Sequence, residues 1–311
     1  MATISRIRHA GIHVSSSVTD ATVPREFGLG TIAGVSKSVL VTGASRGIGK
    51  AIAVAAAGVG FDVALAARTL RSADPTLEHT QTVHKRDQRP LPGSLEETAA
   101  AVQAAGQEAL PLRMDLTDRA SVEAAVAELS DRWGGVDAVV NNGRHIGPGL
   151  MDTILETPVE QYRLFLEAHA VAPIRIAQLL LPTMLERGGG TFVTISSGAG
   201  TNFYPASARP GLGYRLGKAA GHTLVGSLLA EHRDQGIRSF NVDPGFVLTE
   251  RNSLDADEFG FDPSWAAPPA AVGAAVAWIL SSSEADALMG QDVSAQAVAV
   301  ERGLHPDWRR P

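Results

Sequence analysis

The segment YRLGK places Tyr214 and Lys218 four residues apart. In a helix that spacing brings both side chains out on one face, so a phenol and an ammonium can act together. A protonated amine beside a phenol favours phenolate and draws its pKa down from a reference of about 10 towards working pH, where proton transfer is efficient. Tyr214 is thereby a candidate acid-base catalyst; the plain alternative is a tyrosine packed on a sheet with an exposed lysine one turn on. A second stretch, VTGASRGIGK at residues 41–50, carries Gly43, Gly47 and Gly49 directly after a run of Val and Leu. A strand entering such a turn and then a helix can aim free backbone N–H groups at a pyrophosphate. Glycines also end strands and permit close helix packing, so this trio gains weight only beside the Tyr-Lys pair.

Positioning these groups falls to a regular alternation that begins at Ser38. Short apolar runs, SVLVT, DVALAA, EALPLRM, VDAVVN, GTFVTIS, IRSFNVD and GQDVSAQ, read as strands. Between them, Ile48, Ile52, Ala56 and Val59 share one helical face, and Val122, Ala125, Val126, Leu129 and Trp133 share another. Strands apolar on both faces and alternating with helices predict a single doubly wound parallel α/β sheet, Rossmann-like, with helices on both faces. The polar stretch TLRSADPTLEHTQTVHKRDQRPLPG, residues 69–93, interrupts the pattern after the second strand and reads as an inserted loop. His79 and His84 within it lack ligand companions in sequence, so the stretch is read as a solvated loop and no metal site is predicted.

The chain has 311 residues, 44% of them hydrophobic, enough for one large core. A formal charge of -6 and the lack of a long single-sign block argue against nucleic acid as a partner. The absence of cysteine excludes disulfides, thiolate metal ligands and a cysteine nucleophile, and fits a cytoplasmic setting. Residues 1–35 lack a secretory pattern and read as a flexible leader ahead of a catalytic domain at 36–311; a transit peptide is the sharper alternative. The apolar stretch Ala51–Ala67 contains Asp62 and two glycines and reads as helix, turn and strand rather than a membrane span.

With the glycine loop and YRLGK in that order, the chain resembles the classical short-chain dehydrogenase/reductase family, from about Ser38 to the last strand. TGASRGIG is similar to the family's cofactor loop, which implies cofactor contacts from Gly43, Ser45, Arg46, Gly47, Ile48 and Gly49. MDLTD resembles its adenine-contacting turn, with Asp115 and Leu116, and VVNNG its central-strand motif, with Asn141. VTISSGAG resembles the strand end that bears the catalytic serine, placed at Ser197 with Ser196 structural. DPGFVLTE resembles the Pro-Gly segment at the nicotinamide, with Pro244, Gly245, Val247 and Thr249. The resemblance implies hydride transfer between nicotinamide and a ketone or secondary alcohol. Tyr214 would move the proton, Ser197 would hydrogen-bond the reacting oxygen and Lys218 would hold the ribose. Arg68 follows the second strand where an NAD-specific acid would stand, and Arg46 looks like a second cation, so NADP is expected over NAD.

Two departures stand out. NNGRH replaces the family's usual Asn-Asn-Ala-Gly, so Arg144 is expected to crowd or clamp the adenosine side. Counting back from Pro182 puts His169 in the slot of the family's active-site Asn, either relaying a proton or packed in its helix. The stretch from Ser197 to Tyr214 is longer than usual by a few residues, which makes Phe203, Tyr204 and Arg209 candidates for the pocket wall. RNSLDADEFGFDPSW reads as a lid, with Phe259, Phe261 and Trp265 towards substrate or anchoring it to the core. A Ser-His hydrolase using His222 is disfavoured because no Gly-x-Ser-x-Gly elbow surrounds Ser197. A dinucleotide-sensing scaffold without turnover is the alternative function, and a sugar-nucleotide epimerase is disfavoured by the short stretch after Lys218. Expected partners are a small carbonyl or alcohol and further copies of the chain as homodimer or homotetramer, with no metal, nucleic acid or membrane.

Overall fold

Seven of the apolar runs become strands of one sheet: β1 (Lys37–Thr42), β2 (Phe61–Ala67), β3 (Ala109–Arg113), β4 (Ala138–Asn141), β5 (Gly190–Ile195), β6 (Ile237–Asp243) and β7 (Asp292–Ser294). In the computed structural model the described residues are 37–75, 77–201, 210–259, 264 and 266–309, with side chains described for all of these except 256–259. They lie in one unit, Ser36–Pro311. The predicted leader, the wall candidates Phe203, Tyr204 and Arg209, and Phe261, Trp265 and the side chain of Phe259 lie outside this description.

All neighbouring strands run parallel, in the order β3-β2-β1-β4-β5-β6-β7. The order reverses between β1 and β4, and a crevice opens outside the strand ends at such a switch point. Val39, Val41, Val63 and Leu65 face one apolar layer, while Leu40, Ala64 and Val139 face the other. Burial on both faces is why these strands read as continuous apolar runs.

The crossover helices are α1 (Gly47–Gly58), α2 (Leu95–Ala104), α3 (Arg119–Trp133), α4 (Val159–Leu166), α5 (Ala172–Glu186), a short α6 (Gly198–Thr201), α7 (Leu212–His232), α8 (Glu250–Phe259), α9 (Pro269–Ser281) and α10 (Ala295–Glu301). Local sequence sets several ends. Ser94 accepts from the Glu97 N–H at the start of α2, and Asp118 caps α3, which ends at Gly134 with φ +68. Of the predicted α1 stripe, Ile52 and Ala56 are fully buried, but Val59 lies past the helix end and is exposed. GQDVSAQ yields only a three-residue strand, because the Ser294 side chain caps α10 there. Between α4 and α5 a π turn, Glu167–Val171, keeps Val159–Glu186 continuous. That helix is long and apolar enough to cross a membrane by length and composition, yet half of its most apolar window is buried in the fold.

The solvated-loop reading holds for His84 and most of residues 69–93, but not for a buried core within the segment. His79, Thr80, Gln81 and Asp87 are buried, and with α8 they form an ion cluster. Asp87 accepts from Arg89 at 2.5 Å and from Arg251 at 3.2 Å, and Asp255 accepts from Arg89 at 2.6 Å and Gln81 at 2.5 Å. His79 donates through Nε2 to the Arg89 carbonyl at 2.7 Å, which leaves Nδ1 to accept from Arg251. Hydrophobicity patterns could not reveal this, because the cluster is closed by Arg251 and Asp255, partners more than 160 residues away. His84 instead meets the exposed Glu156 at 3.0 Å near Asp152, whose oxygens accept from Thr82, Val83 and Gly149.

Hydrogen bonding to Arg89 holds the Asp87 carboxyl below the usual carboxylate range. A lowered folded pKa stabilises above the unfolded value of about 4 and ceases to do so as pH falls through the folded one. Asp87→Ala should therefore lower unfolding free energy at neutral pH by about 3 kcal/mol, because it strips a partner from the buried Arg251. Urea unfolding measures this, and the wild type should lose its advantage over Asp87→Asn as pH drops below about 4. Equal urea midpoints for wild type and Asp87→Ala at neutral pH would contradict the ion cluster.

Candidate active site

A cavity of about 910 Å³ opens along the carboxyl ends of the strands around the switch point. One half is floored by the turn from β1 into α1. Gly43 adopts φ +69, and a Cβ on Gly49 would lie 2.1 Å from the Gly43 carbonyl oxygen, so this turn closes only with glycine at both positions. Thr42 Oγ1 accepts from the Asn142 and Gly143 N–H groups at 3.0 Å each, tying the turn to the end of β4. Ser45, Ile48, Asp115 and Leu116 line this half of the cavity, with Asp115 accepting from the Thr117 N–H at 2.9 Å. Asn141 is buried outside the lining, and its side-chain amide finds no partner among the described residues.

The two cations predicted for this half differ. Arg46 is committed to the inserted segment, donating to the carbonyls of Pro92 at 2.9 Å and Gly93 at 2.7 Å. Arg68 lines the cavity and makes no hydrogen bond or ion pair among the described residues. The Gly47 N–H, at the positive end of α1, donates to a Glu250 carboxylate oxygen at 3.3 Å. Neither the insertion's grip on Arg46 nor the role of Glu250 is visible in sequence, since both are contacts between distant segments.

At the other half, α7 presents Tyr214 and Lys218 on one face as the four-residue spacing requires. Ser197, at the end of β5, and Arg144, in the loop after β4, line the cavity beside Tyr214. Ser196 is buried, and its backbone N–H donates to the Val242 carbonyl, the structural place expected of it. Pro244, Gly245, Val247 and Thr249 line the cavity beyond, where a short parallel bridge between Val247 and Ala267 steadies the segment leading into α8.

Electrostatics reverses the expected relation between phenol and lysine. Lys218 is buried, and burial together with nearby Arg144 lowers its pKa to about 7. Its Nζ donates to the Ile195 carbonyl at 2.6 Å and lies 5.7 Å from the Tyr214 ring centroid. Burial pushes the Tyr214 phenol up, and the groups that draw it back are Arg144 and Ser197. Thus Lys218 does not depress the phenol as the spacing suggested. Arg144 does so, and it lies 5.9 Å from the ring centroid rather than on the adenosine side.

His169 takes the packed alternative. It sits on the π turn, accepts from the His145 N–H through Nε2 at 3.1 Å, and meets the Tyr214 ring edge-on at 5.7 Å between centroids. Burial drives its pKa well below the ordinary histidine value, so it is neutral and touches the ring rather than the hydroxyl. Gly217 lets this happen, since a Cβ there would lie 2.4 Å from His169 Nδ1. His222 pairs with Asp292 at 2.5 Å and does not line the cavity, so no Ser-His couple forms with Ser197. Arg144 is misjudged from sequence as well, although the break in the Asn-Asn motif was a signal for it.

A family profile described as short chain dehydrogenase matches residues 37–94 and 90–258. Hydroxysteroid dehydrogenase-like protein 2 of Danio rerio is 34% identical over 157 residues, which cover 50% of this chain and 33% of that protein. The 2-(R)-hydroxypropyl-CoM dehydrogenase of Xanthobacter autotrophicus is 29% identical over 224 residues, 72% of this chain and 80% of that one. The chain thus spans a third of the first relative's length and most of the second's. Among solved structures, L-sorbose reductase from Gluconobacter frateurii, complexed with NADPH and L-sorbose, superposes with a TM-score of 0.66 at 25% identity, over 83% of this chain and 94% of that one. Sheet order, glycine turn and the Ser-Tyr-Lys group all lie within or beside the matched residues, and the chain belongs to the short-chain dehydrogenase family.

Proposed function

We propose that the chain is an NAD(P)-dependent oxidoreductase that interconverts a ketone and a secondary alcohol. The observation that carries this reading is the meeting of Tyr214, Ser197 and Lys218 at one end of a glycine-floored cavity. The cavity fits a dinucleotide: Gly43, Gly47 and Gly49 line it at the start of α1 without side chains, so a ligand can approach that N-terminus closely. Gly43, Ser45, Gly47, Ile48 and Gly49 would hold the pyrophosphate half, Asp115 and Leu116 the adenosine half, and Lys218 the nicotinamide ribose, whereas Asn141, buried outside the lining, does not take the cofactor contact expected of it. Pro244, Gly245, Val247 and Thr249 would meet the nicotinamide, which when bound supplies or accepts the hydride.

The proton is the protein's part. In reduction Tyr214 Oη gives its proton to the carbonyl oxygen as negative charge develops there, while the Ser197 hydroxyl donates to the same oxygen. Lys218, tied to the Ile195 carbonyl, keeps that corner of the cavity in place. His169 is a positioning residue: it stacks edge-on against the phenol ring and anchors the His145 backbone.

NADP is the favoured dinucleotide because Arg68 lines the cavity with its guanidinium uncommitted, and a guanidinium suits a phosphate that a free hydroxyl would lack. The related L-sorbose reductase structure contains NADPH, which supports the same choice. Val159, Val171, Ile174, Leu212 and Leu216 are exposed apolar residues on the two long helices, which supports a homodimer or homotetramer; a monomer mass by light scattering would end that reading.

Two measurements test the function. NADPH consumption across a panel of ketones should reveal turnover, and Tyr214→Phe should lower kcat by about 100-fold or more while NADPH affinity changes little. Tight NADPH binding with no turnover on any ketone would instead make the protein a sensor of the dinucleotide. Arg68→Ala should weaken NADPH binding about tenfold, equivalent to about 1.4 kcal/mol, and leave NADH binding unchanged. Equal losses for both dinucleotides would refute the NADP assignment.

A further inference from the structure

The groups around the Tyr214 phenol come from five elements. The loop after β4 brings Arg144 and His145, the π turn brings His169, α7 itself brings Lys218, the end of β5 brings Ser197, and the end of β6 brings Asp243. Asp243 has its carboxylate occupied by the Gly198 N–H at 2.8 Å and the Gly245 N–H at 2.9 Å. His145, lowered to about 4 by burial, and His169 are both neutral near pH 7. Lys218 loses its proton at about 7 and spends a donor on the Ile195 carbonyl. An arginine keeps its charge throughout, and the Arg144 guanidinium lies 5.9 Å from the Tyr214 ring centroid.

We propose that Arg144 is the electrostatic partner of Tyr214: its guanidinium, 5.9 Å from the ring centroid in the same cavity, stabilises the phenolate that the reaction passes through. It thereby fills the charge role that the four-residue spacing suggested for Lys218. In alcohol oxidation the substrate O–H proton passes to the Tyr214 oxygen as its C–H hydride passes to the nicotinamide; the alcohol loses two electrons and the dinucleotide gains them. In reduction the same proton leaves Tyr214 for the substrate oxygen, and the phenolate left behind faces Arg144. The place of Arg144 in sequence makes the assignment specific to this chain, since the resembling motif has glycine at that position. This inference rests on the oxidoreductase reading and deepens it.

The test uses the full chain with NADP and the alcohol of whichever ketone turns over in the panel. In Arg144→Met the acid limb of kcat/KM for oxidation should move to higher pH by about one unit or more, since a neighbouring opposite charge shifts a pKa by that order. Arg144→Lys should recover part of the shift, and NADPH affinity in both variants should stay within about threefold of wild type, which marks a folded cofactor site. A second readout needs no substrate. The chain has three tyrosines, so the tyrosinate absorbance lost in Tyr214→Phe reports this phenol alone. Its midpoint should rise when Arg144→Met is combined with each member of that pair. An acid limb that stays in place, equal absorbance midpoints, or a Tyr214 that never ionises in the folded wild type overturns the proposal. Failure of every ketone and alcohol to turn over would refute the oxidoreductase reading, while the absorbance comparison would still decide the role of Arg144 on the phenol.

Discussion

Burial of the Lys218 ammonium is the constraint from which the rest of the site follows. A lysine in that position surrenders its charge near neutral pH, so an amine one turn from a phenol does not by itself make the phenol acidic. The site keeps Lys218 as a hydrogen-bond anchor on the Ile195 carbonyl and brings a cation that cannot be neutralised beside the phenol ring. Arginine suits this because its guanidinium tolerates partial burial and presents several donors in a plane. The phenol therefore lies between a neutral serine donor and a permanent charge.

That arrangement depends on the sheet. Parallel strands deliver the ends of β1, β4, β5 and β6 to one edge, and the reversal of strand order between β1 and β4 opens the crevice there. Arg144 comes from the loop after β4, Ser197 from the end of β5 and Asp243 from the end of β6, while α7 crosses beneath with Tyr214. No two of Arg144, Ser197 and Tyr214 belong to the same element, and their meeting is a property of topology. The π turn adds the last adjustment: it seats His169 between the His145 backbone and the phenol ring, in a gap that Gly217 leaves open.

On the outer side, the inserted segment and α8 act as one piece. Asp87 and Asp255 are each shared between the insertion's Arg89 and the α8 residue Arg251, and the insertion also supplies the carbonyls that hold Arg46 beside the glycine turn. The segment thus connects the glycine-turn end of the cavity to the helix that starts right after Thr249. Buried ion pairs of this kind are costly to break on one side, which ties the position of α8 to a stretch that looked solvated.

The sequence by itself determined the alternation of strands and helices, because a strand buried on both faces must be apolar throughout and its crossover helix must carry a stripe. It also determined the glycine turn and the shared face of Tyr214 and Lys218, since both follow from spacing within a single element. Only the tertiary structure decided which charges act. Arg144 meets Tyr214 across about seventy residues of chain, and the protonation of Lys218 and His169 depends on how much protein surrounds them. Likewise His79 and Asp87 are polar residues whose burial depends on Arg251 and Gln81 on Asp255, partners from α8. Local pattern encodes backbone geometry, whereas desolvation and Coulomb interaction depend on distances that exist only once the chain has folded.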